Sequence, residues 1–477
     1  MSFELAGLIA FMLAFSLICY GVGRLILLLL FAKSAQTSVA HALAPVIGLM
    51  VMALQLWLYG LLRIPWSRWW LLLPWAVLGI LEWHSSGRGL TKPWLSWRKA
   101  WNKFKGWGYF ETVLVVATLI LAAIFLVFMV QQSLVGADAF AVWAYKAKAF
   151  FVHQAVYVDP HLIDNLNNAR FHHIDYPPLF PLMADVAYVI WGSVNEAFLK
   201  ALNFIFLVSG ATSLAVFLRP LSGRVLTVTA VFLLVSLPQF HHILFINTNM
   251  GYADYALAIT MLLAAICLLI SWGQRPGINW LLALFFAAMA SVIKNEGLPF
   301  FIVVVALLAL SWWQQRRQFK FRPKRVAANL GILILVALPL LAWTYYKSRH
   351  GIVADFQFNN INLTGESVLT KLGRITGLLV LYVKTNPIYH WQIWAAILGI
   401  LATVWYRSRL AWPLLAIVAF QSIFYVTSFL FSPYELRFHV LSSADRLLLQ
   451  LAPLTILLLA ISIVQVRKLK VKASTTR

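Results

Sequence analysis

A few residues past the apolar run Thr112–Val130, the sequence places an aspartate, Asp138, in Gly136-Ala137-Asp138. A carboxylate held there by fixed partners can take a proton from an attacking hydroxyl or amine. The same polar stretch, 131–181, closes on His172-His173 and Asp175-Tyr176-Pro177-Pro178. The prolines fix φ and remove donors, which makes a rigid turn into the next helix. Asp254 follows Gly251-Tyr252-Ala253 and opens another apolar run. Lys294-Asn295-Glu296-Gly297 separates two short apolar runs, and a Lys and a Glu at membrane depth face a cavity or each other. Arg437, His439, Asp445 and Arg446 precede the last apolar run. The chemistry these types suit is general-base catalysis at Asp138, beside cations that grip an anion. Lys294 would act as a point charge, and Arg437 and Arg446 as planar forks for phosphate oxygens. Asp175, Tyr176, His172, His173, Asp254 and Glu296 complete the set as substrate contacts.

Each feature also has a plainer structural reading. Asp138 and Asp254 suit helix caps. The Pro-Pro turn suits a plain helix start, and Lys294–Glu296 and Arg446–Asp445 suit local ion pairs. His172-His173 offers no His/Asp spacing that fixes a metal geometry. No metal ligand is assigned, and a divalent metal is left open as the one cofactor. The sequence carries no GxSxG, P-loop, GxGxxG or HExxH pattern.

The elements that must position these residues are membrane helices. The chain has 477 residues, is 62% hydrophobic and only 11% charged, against about 25% charged in a soluble domain. Repeated apolar runs of about 17–25 residues read as transmembrane helices. The net charge of +23 would suit nucleic acid if it formed one patch. Instead Lys and Arg cluster in short loops, as in Arg88–Lys105, Arg316–Arg325 and the C-terminal tail. That is the positive-inside pattern, with anionic headgroups as the partner and no nucleic acid. Cys19 and Cys267 both lie in apolar runs, so neither a disulfide framework nor a thiolate site is expected.

Apolar length and Lys/Arg placement predict an all-α polytopic membrane protein of about thirteen spans. The expected spans are about 5–31, 39–62, 67–82, 110–131, 197–218, 225–243, 254–272, 279–293, 298–313, 326–346, 391–406, 410–431 and 447–466. Residues 1–105 form an N-terminal three-helix module with a basic cytoplasmic loop. Residues 106–466 form a catalytic membrane domain with outer loops at 131–196 and 346–390, and 467–477 is a basic cytoplasmic tail. This topology puts Asp138, Asp159, Asp164, Asp175, Asp185, Asp254, Glu296, Asp355, Glu366, Glu435 and Asp445 at one outer face. Acids contribute little to orientation, so their collection at one face points to function there.

In order along the chain stand an Asp after an outward span (Asp138), an Asp-x-Pro-Pro-Leu turn (Asp175–Leu179), an Ala-Asp opening an inward helix (Ala253-Asp254), a Lys motif between helices (Lys294–Gly297) and an Arg before the last span (Arg446). In this order, over about residues 110–466, the chain resembles the GT-C membrane glycosyltransferases, in the branch of protein O-mannosyltransferases and bacterial aminoarabinose transferases. The resemblance implies a GT-C-like helix bundle and inverting transfer of a sugar from a polyprenyl-phosphate donor at the extracytoplasmic face of the cytoplasmic membrane. It implies Asp138 as base, Lys294 and Arg446 on the donor phosphate, and Asp175 and Asp254 binding or orienting the acceptor. The acceptor class, lipid, glycan or protein, stays open. Residues 1–105 add about three helices before that family's usual first span, and no large soluble C-terminal domain follows. The alternatives are a cell-envelope polysaccharide polymerase or ligase and a lipid-linked sugar transporter. A transporter needs a polar path continuing toward the cytoplasm, whereas charge within these spans is sparse and gathers at one face.

Overall fold

The computed structural model describes residues 3–31, 37–86, 107–131, 133–134, 136, 138–156, 173–237, 251–274, 277–316, 323–353, 367–432 and 434–475. His172, the basic loop 87–106, Asp159, Asp164, Asp355 and Glu366 lie outside them. The described residues are helical, with no strand among them. The helices are α1 Phe3–Phe31, α2 Ser38–Leu62, α3 Arg68–Ser86, α4 Tyr109–Gln131, α5 Tyr145–His153, α6 Leu179–Trp191, α7 Glu196–Val235, α8 Asp254–Ser271, α9 Ile278–Ile293, α10 Gly297–Gln315, α11 Pro323–Arg349, α12 Val368–Thr385, α13 His390–Trp405, α14 Trp412–Ser428 and α15 Leu436–Thr475.

Eight helices among the described residues are long and apolar enough to cross a membrane, or up to nine if the bent pair α12 and α13 is one span. The chain is thus built as a multi-pass membrane protein. The spans expected at 67–82 and 326–346 form α3 and α11, which are not among the eight, and three further differences from the sequence reading have physical causes. α9 and α13 have 16 residues each and reach about 24 Å at 1.5 Å per residue, short of a hydrocarbon core of about 30 Å. The spans expected at 197–218 and 225–243 join in α7, which breaks only at Gly223.

Two compact units divide the chain. The first comprises 1–135, 144–158 and 181–236. It contains the 1–105 segment together with α4 and α7. There α1 packs on α2, and α7 packs on both α2 and α4. Thr37 caps α2 by accepting from the Ala40 N–H, and Asn195 caps α7 by accepting from Ala197. In α4 only 22% of the most apolar window is enclosed by protein, and Val116, Leu119 and Ile120 stand exposed. That surface suits acyl chains, which are as apolar as the side chains.

The second unit comprises 136–143, 159–180 and 237–477. Its centre is α8, which packs on α9, α10, α14 and α15. Protein encloses 94% of the most apolar window of α8, so a charge on this helix meets other side chains rather than lipid. α15 also packs on α12, α13 and α14, and it runs on through the basic tail to Thr475.

Gly223 has φ 79° and ψ −172°, a region essentially confined to glycine. A Cβ there would meet nothing within 4 Å, so any penalty for a side chain comes from the backbone alone. Gly223→Ala is expected to destabilise the detergent-solubilised protein by about 1–3 kcal/mol, read as a lowered midpoint of thermal unfolding. An unchanged midpoint would show that the break in α7 does not depend on this conformation.

Candidate functional site

The candidate site lies within the second unit, and five separate stretches of chain contribute its charged and aromatic groups. The first carries Asp138. A π-helical turn, Ala139–Ala144, follows it, where the sequence reading expects ordinary helix. Such wide turns recur at functional sites because they re-aim side chains. The Asp138 backbone N–H donates to the Tyr252 Oη at 3.3 Å. Trp143, on the same turn, is buried.

The second stretch is the turn before α6. His173 sits at φ 36°, a left-handed conformation that costs a non-glycine residue about 1–3 kcal/mol. Its carbonyl accepts from the Tyr176 N–H at 2.9 Å, closing the turn. Three rings stack in consequence. Trp143 and Tyr176 have centroids 5.4 Å apart, and His173 and Tyr176 4.8 Å apart, all close to parallel. The stack holds Asp175, itself buried, where Asn295 Nδ2 donates to its Oδ2 at 2.8 Å.

The third and fourth stretches form the buried core of the site. Asp254 opens α8, and Lys294 ends α9. Lys294 Nζ lies 2.8 Å from Asp254 Oδ1 and 2.8 Å from Glu296 Oε1. It also sits over the Tyr176 ring, 5.8 Å from the centroid. Gln450 Nε2 donates to the same Asp254 oxygen, and Tyr425 Oη donates to Gln450 Oε1. Gln421 Nε2 donates to the Glu296 carbonyl at 2.9 Å, which ties α14 to the turn between α9 and α10. Gly297 makes that turn by close approach. A Cβ there would lie 2.0 Å from the Ala290 carbonyl oxygen, so only glycine lets α10 start so near the end of α9.

Arg446 on α15 completes the set. Its Nη1 is 2.6 Å from Asp138 Oδ2, and its guanidinium lies 5.4 Å from the Tyr252 ring centroid. Tyr252 therefore touches both members of the pair, one through its hydroxyl and one through its ring face. Four carboxylates (Asp138, Asp175, Asp254 and Glu296) stand against two cations (Lys294 and Arg446), a formal charge of −2.

Electrostatics follow from burial. Burial alone would lower the Lys294 ammonium, but Asp254 and Glu296 outweigh it and hold its pKa above the usual value, so Lys294 stays charged. Burial, and then the Glu296 carboxylate, pushes the Tyr176 phenol well up. Burial and then Asp138 do the same to Tyr252. Both phenols therefore remain neutral hydrogen-bonding groups. In the first unit the Asp185 carboxyl is wholly buried, with no hydrogen-bond partner for either oxygen among the described residues. Burial raises its pKa well above the carboxylate range.

The fold thus brings together Asp138, Asp175, Tyr176, Asp254, Lys294, Glu296 and Arg446, with His173 joined through the ring stack. It leaves Arg437 exposed at the start of α15, where Glu435 caps its backbone N–H at 3.0 Å. Glu435 is held below the usual carboxylate range by its bonds to the Phe438 and Arg437 N–H groups. Sequence reasoning missed Gln421, Tyr425 and Gln450. The available signal was polar residues within apolar spans, with Gln421 and Tyr425 four apart on α14 and Gln450 four after Arg446 on α15. No three His, Cys, Asp or Glu among the described residues converge as a metal set. No family model, curated protein or solved structure matches the chain.

Lys294→Met would leave Asp254 buried, and Glu296 half-buried, without their cation. Removing one partner of a buried pair costs about 3–5 kcal/mol, so this variant is expected to lose thermal stability strongly. Lys294→Met combined with Asp254→Asn is expected to recover part of the loss. Equal midpoints for Lys294→Met and wild type would show that the ammonium does not hold the two carboxylates together.

Proposed function

We propose that the chain is a membrane glycosyltransferase. In this reading it moves a sugar from a polyprenyl-phosphate donor to an acceptor at the extracytoplasmic face of the cytoplasmic membrane, by inversion at the anomeric carbon. The observation that carries the reading is the meeting of Asp138, a solvent-reachable carboxylate, with the Arg446 guanidinium at 2.6 Å, beside the Lys294 cage. These groups come from sequence positions up to 308 residues apart. Base, anion-binding cation and a flanking aromatic stack are the parts such a transfer requires.

The chemistry runs as a single displacement. The acceptor oxygen or nitrogen attacks the anomeric carbon from the face opposite the phosphate, and Asp138 takes its proton. The bond from the anomeric carbon to the phosphate oxygen breaks, and its electron pair leaves with the polyprenyl phosphate. Arg446 stabilises the charge growing on that oxygen. Lys294, enclosed by Asp254 and Glu296, holds those carboxylates in place and lends the phosphate its field. The Trp143–Tyr176–His173 stack offers an aromatic wall to a sugar. The topology that goes with this reading has thirteen crossings, with α9 and α13 completed by their flanking residues, the site outside and the basic loops inside. A GT-C-like architecture belongs to the same proposal, as does a lipid, glycan or protein as acceptor.

The test is release of polyprenyl phosphate by purified protein in lipid nanodiscs, given a polyprenyl-phosphate sugar and a cell-envelope extract as acceptor. Wild type is expected to release product, and Asp138→Asn to lose about 10²–10⁴-fold of that rate while unfolding at a similar temperature. Turnover retained by Asp138→Asn would remove it as base. No release by wild type over a heat-killed control, with several donor sugars, would sink the reading itself.

A further inference from the structure

The two cations of the site are held differently, and the difference has a consequence for how a phosphate could enter. Lys294 is bound by two carboxylates at 2.8 Å each, with its side chain 3% exposed. Withdrawing it would strand Asp254 inside protein and leave the half-buried Glu296 without its cation. Arg446 touches one carboxylate of the four, Asp138, the two side chains being 19% and 29% exposed, while Asp254 attracts it from farther off. A pair partly open to water is screened more than the enclosed contact of Lys294 with Asp254. Its geometry also suits exchange, because a guanidinium fork binds phosphate oxygens as readily as a carboxylate. Tyr252 would keep the guanidinium over its ring, 5.4 Å from the centroid, while the fork changes partner. Its hydroxyl would keep the Asp138 backbone in place meanwhile. With four carboxylates against two cations, an incoming anion has no uncommitted positive charge in the cluster to bind. Arg446 is the cation that can be released.

We infer that Arg446 passes from Asp138 to the donor phosphate when the polyprenyl donor binds, so that donor binding frees the catalytic base. This inference rests on the glycosyl-transfer reading above and adds an order to it. Before the donor arrives, the Asp138 carboxylate is engaged by the Arg446 guanidinium and is not free to meet an acceptor hydroxyl. Once the phosphate takes the fork, Asp138 is released beside the anomeric carbon. The acceptor is then deprotonated only when a donor is in place. No bond is made or broken in the exchange, since one charge-assisted hydrogen bond replaces another.

The experiment measures binding of polyprenyl monophosphate, the leaving product, to full-length protein in nanodiscs of neutral lipid. If Asp138 competes with the phosphate for Arg446, Asp138→Asn binds the probe about five- to tenfold more tightly than wild type. Glu296→Gln removes the same charge without touching the Arg446 pair, and its gain is expected to be clearly smaller. Arg446→Gln is expected to weaken binding, and adding Asp138→Asn to it brings no more than the small gain of Glu296→Gln. Equal or weaker binding by Asp138→Asn overturns the exchange. So does an equal gain from Glu296→Gln, which would reduce the effect to general charge. If wild type turns over donor yet these binding results fail, only the exchange is lost. If wild type and Asp138→Asn neither bind the probe nor turn over donor, the glycosyl-transfer reading falls and the exchange with it.

Discussion

The second unit depends on one interaction, the contact of Lys294 with Asp254 and Glu296. Asp254 opens the helix that protein encloses most fully, so its charge cannot be left to water. An isolated charge in a low-dielectric interior is prohibitively costly, and a paired, hydrogen-bonded one is tolerated. Much of the local architecture follows from that requirement. The α9–α10 turn must bring Lys294 to the start of α8, and Gly297 makes the turn tight enough. Gln450 and Tyr425 then supply the remaining hydrogen bonds from α15 and α14. A charge set that demands partners from four helices specifies how those helices pack, which apolar contact in a lipid setting does poorly.

Beyond the enclosed Asp254 and Lys294 the charges are more accessible, at Glu296 as well as at Arg446 and Asp138. The gradient divides the site into a structural half and an exchangeable half. Tyr252 and Tyr176 stand between the halves, each touching a cation with its ring. As neutral phenols they can do so without competing as anions. The π-helical turn follows Asp138 directly, and the strained His173 turn sets Tyr176 over Lys294. Local cost is tolerated where a side chain must be aimed, and the buried half uses ordinary helix ends.

The sequence made much of this site legible. Asp138, Asp175, Tyr176, Asp254, Lys294, Glu296 and Arg446 all stand out as polar residues at the ends of apolar runs, and all meet. They were legible because charge is expensive near lipid, so its presence is informative. Gln450 and Tyr425 were not legible, because a single amide or phenol within an apolar helix has many uses, and only its neighbours tell which. Arg437 illustrates the converse. Its type and position fit a phosphate contact as well as those of Arg446, yet it lies exposed on the first turn of α15, where the helix presents it away from the cluster.

Composition and apolar run length by themselves determined an all-helical, multi-pass membrane protein, because a bilayer admits few solutions for an unpaired backbone. Residue type at the run ends determined which side chains were available for chemistry. Pairing was decided by the tertiary structure alone: that Lys294 is enclosed by two carboxylates, that the Arg446 guanidinium reaches Asp138 while its backbone N–H donates to Asp445 Oδ1, and that two short apolar runs form helices too short to span unaided. Spacing along a chain carries no information about which of several like charges will be neighbours. That depends on how helices hundreds of residues apart pack, and on which arrangement leaves no buried charge without a partner.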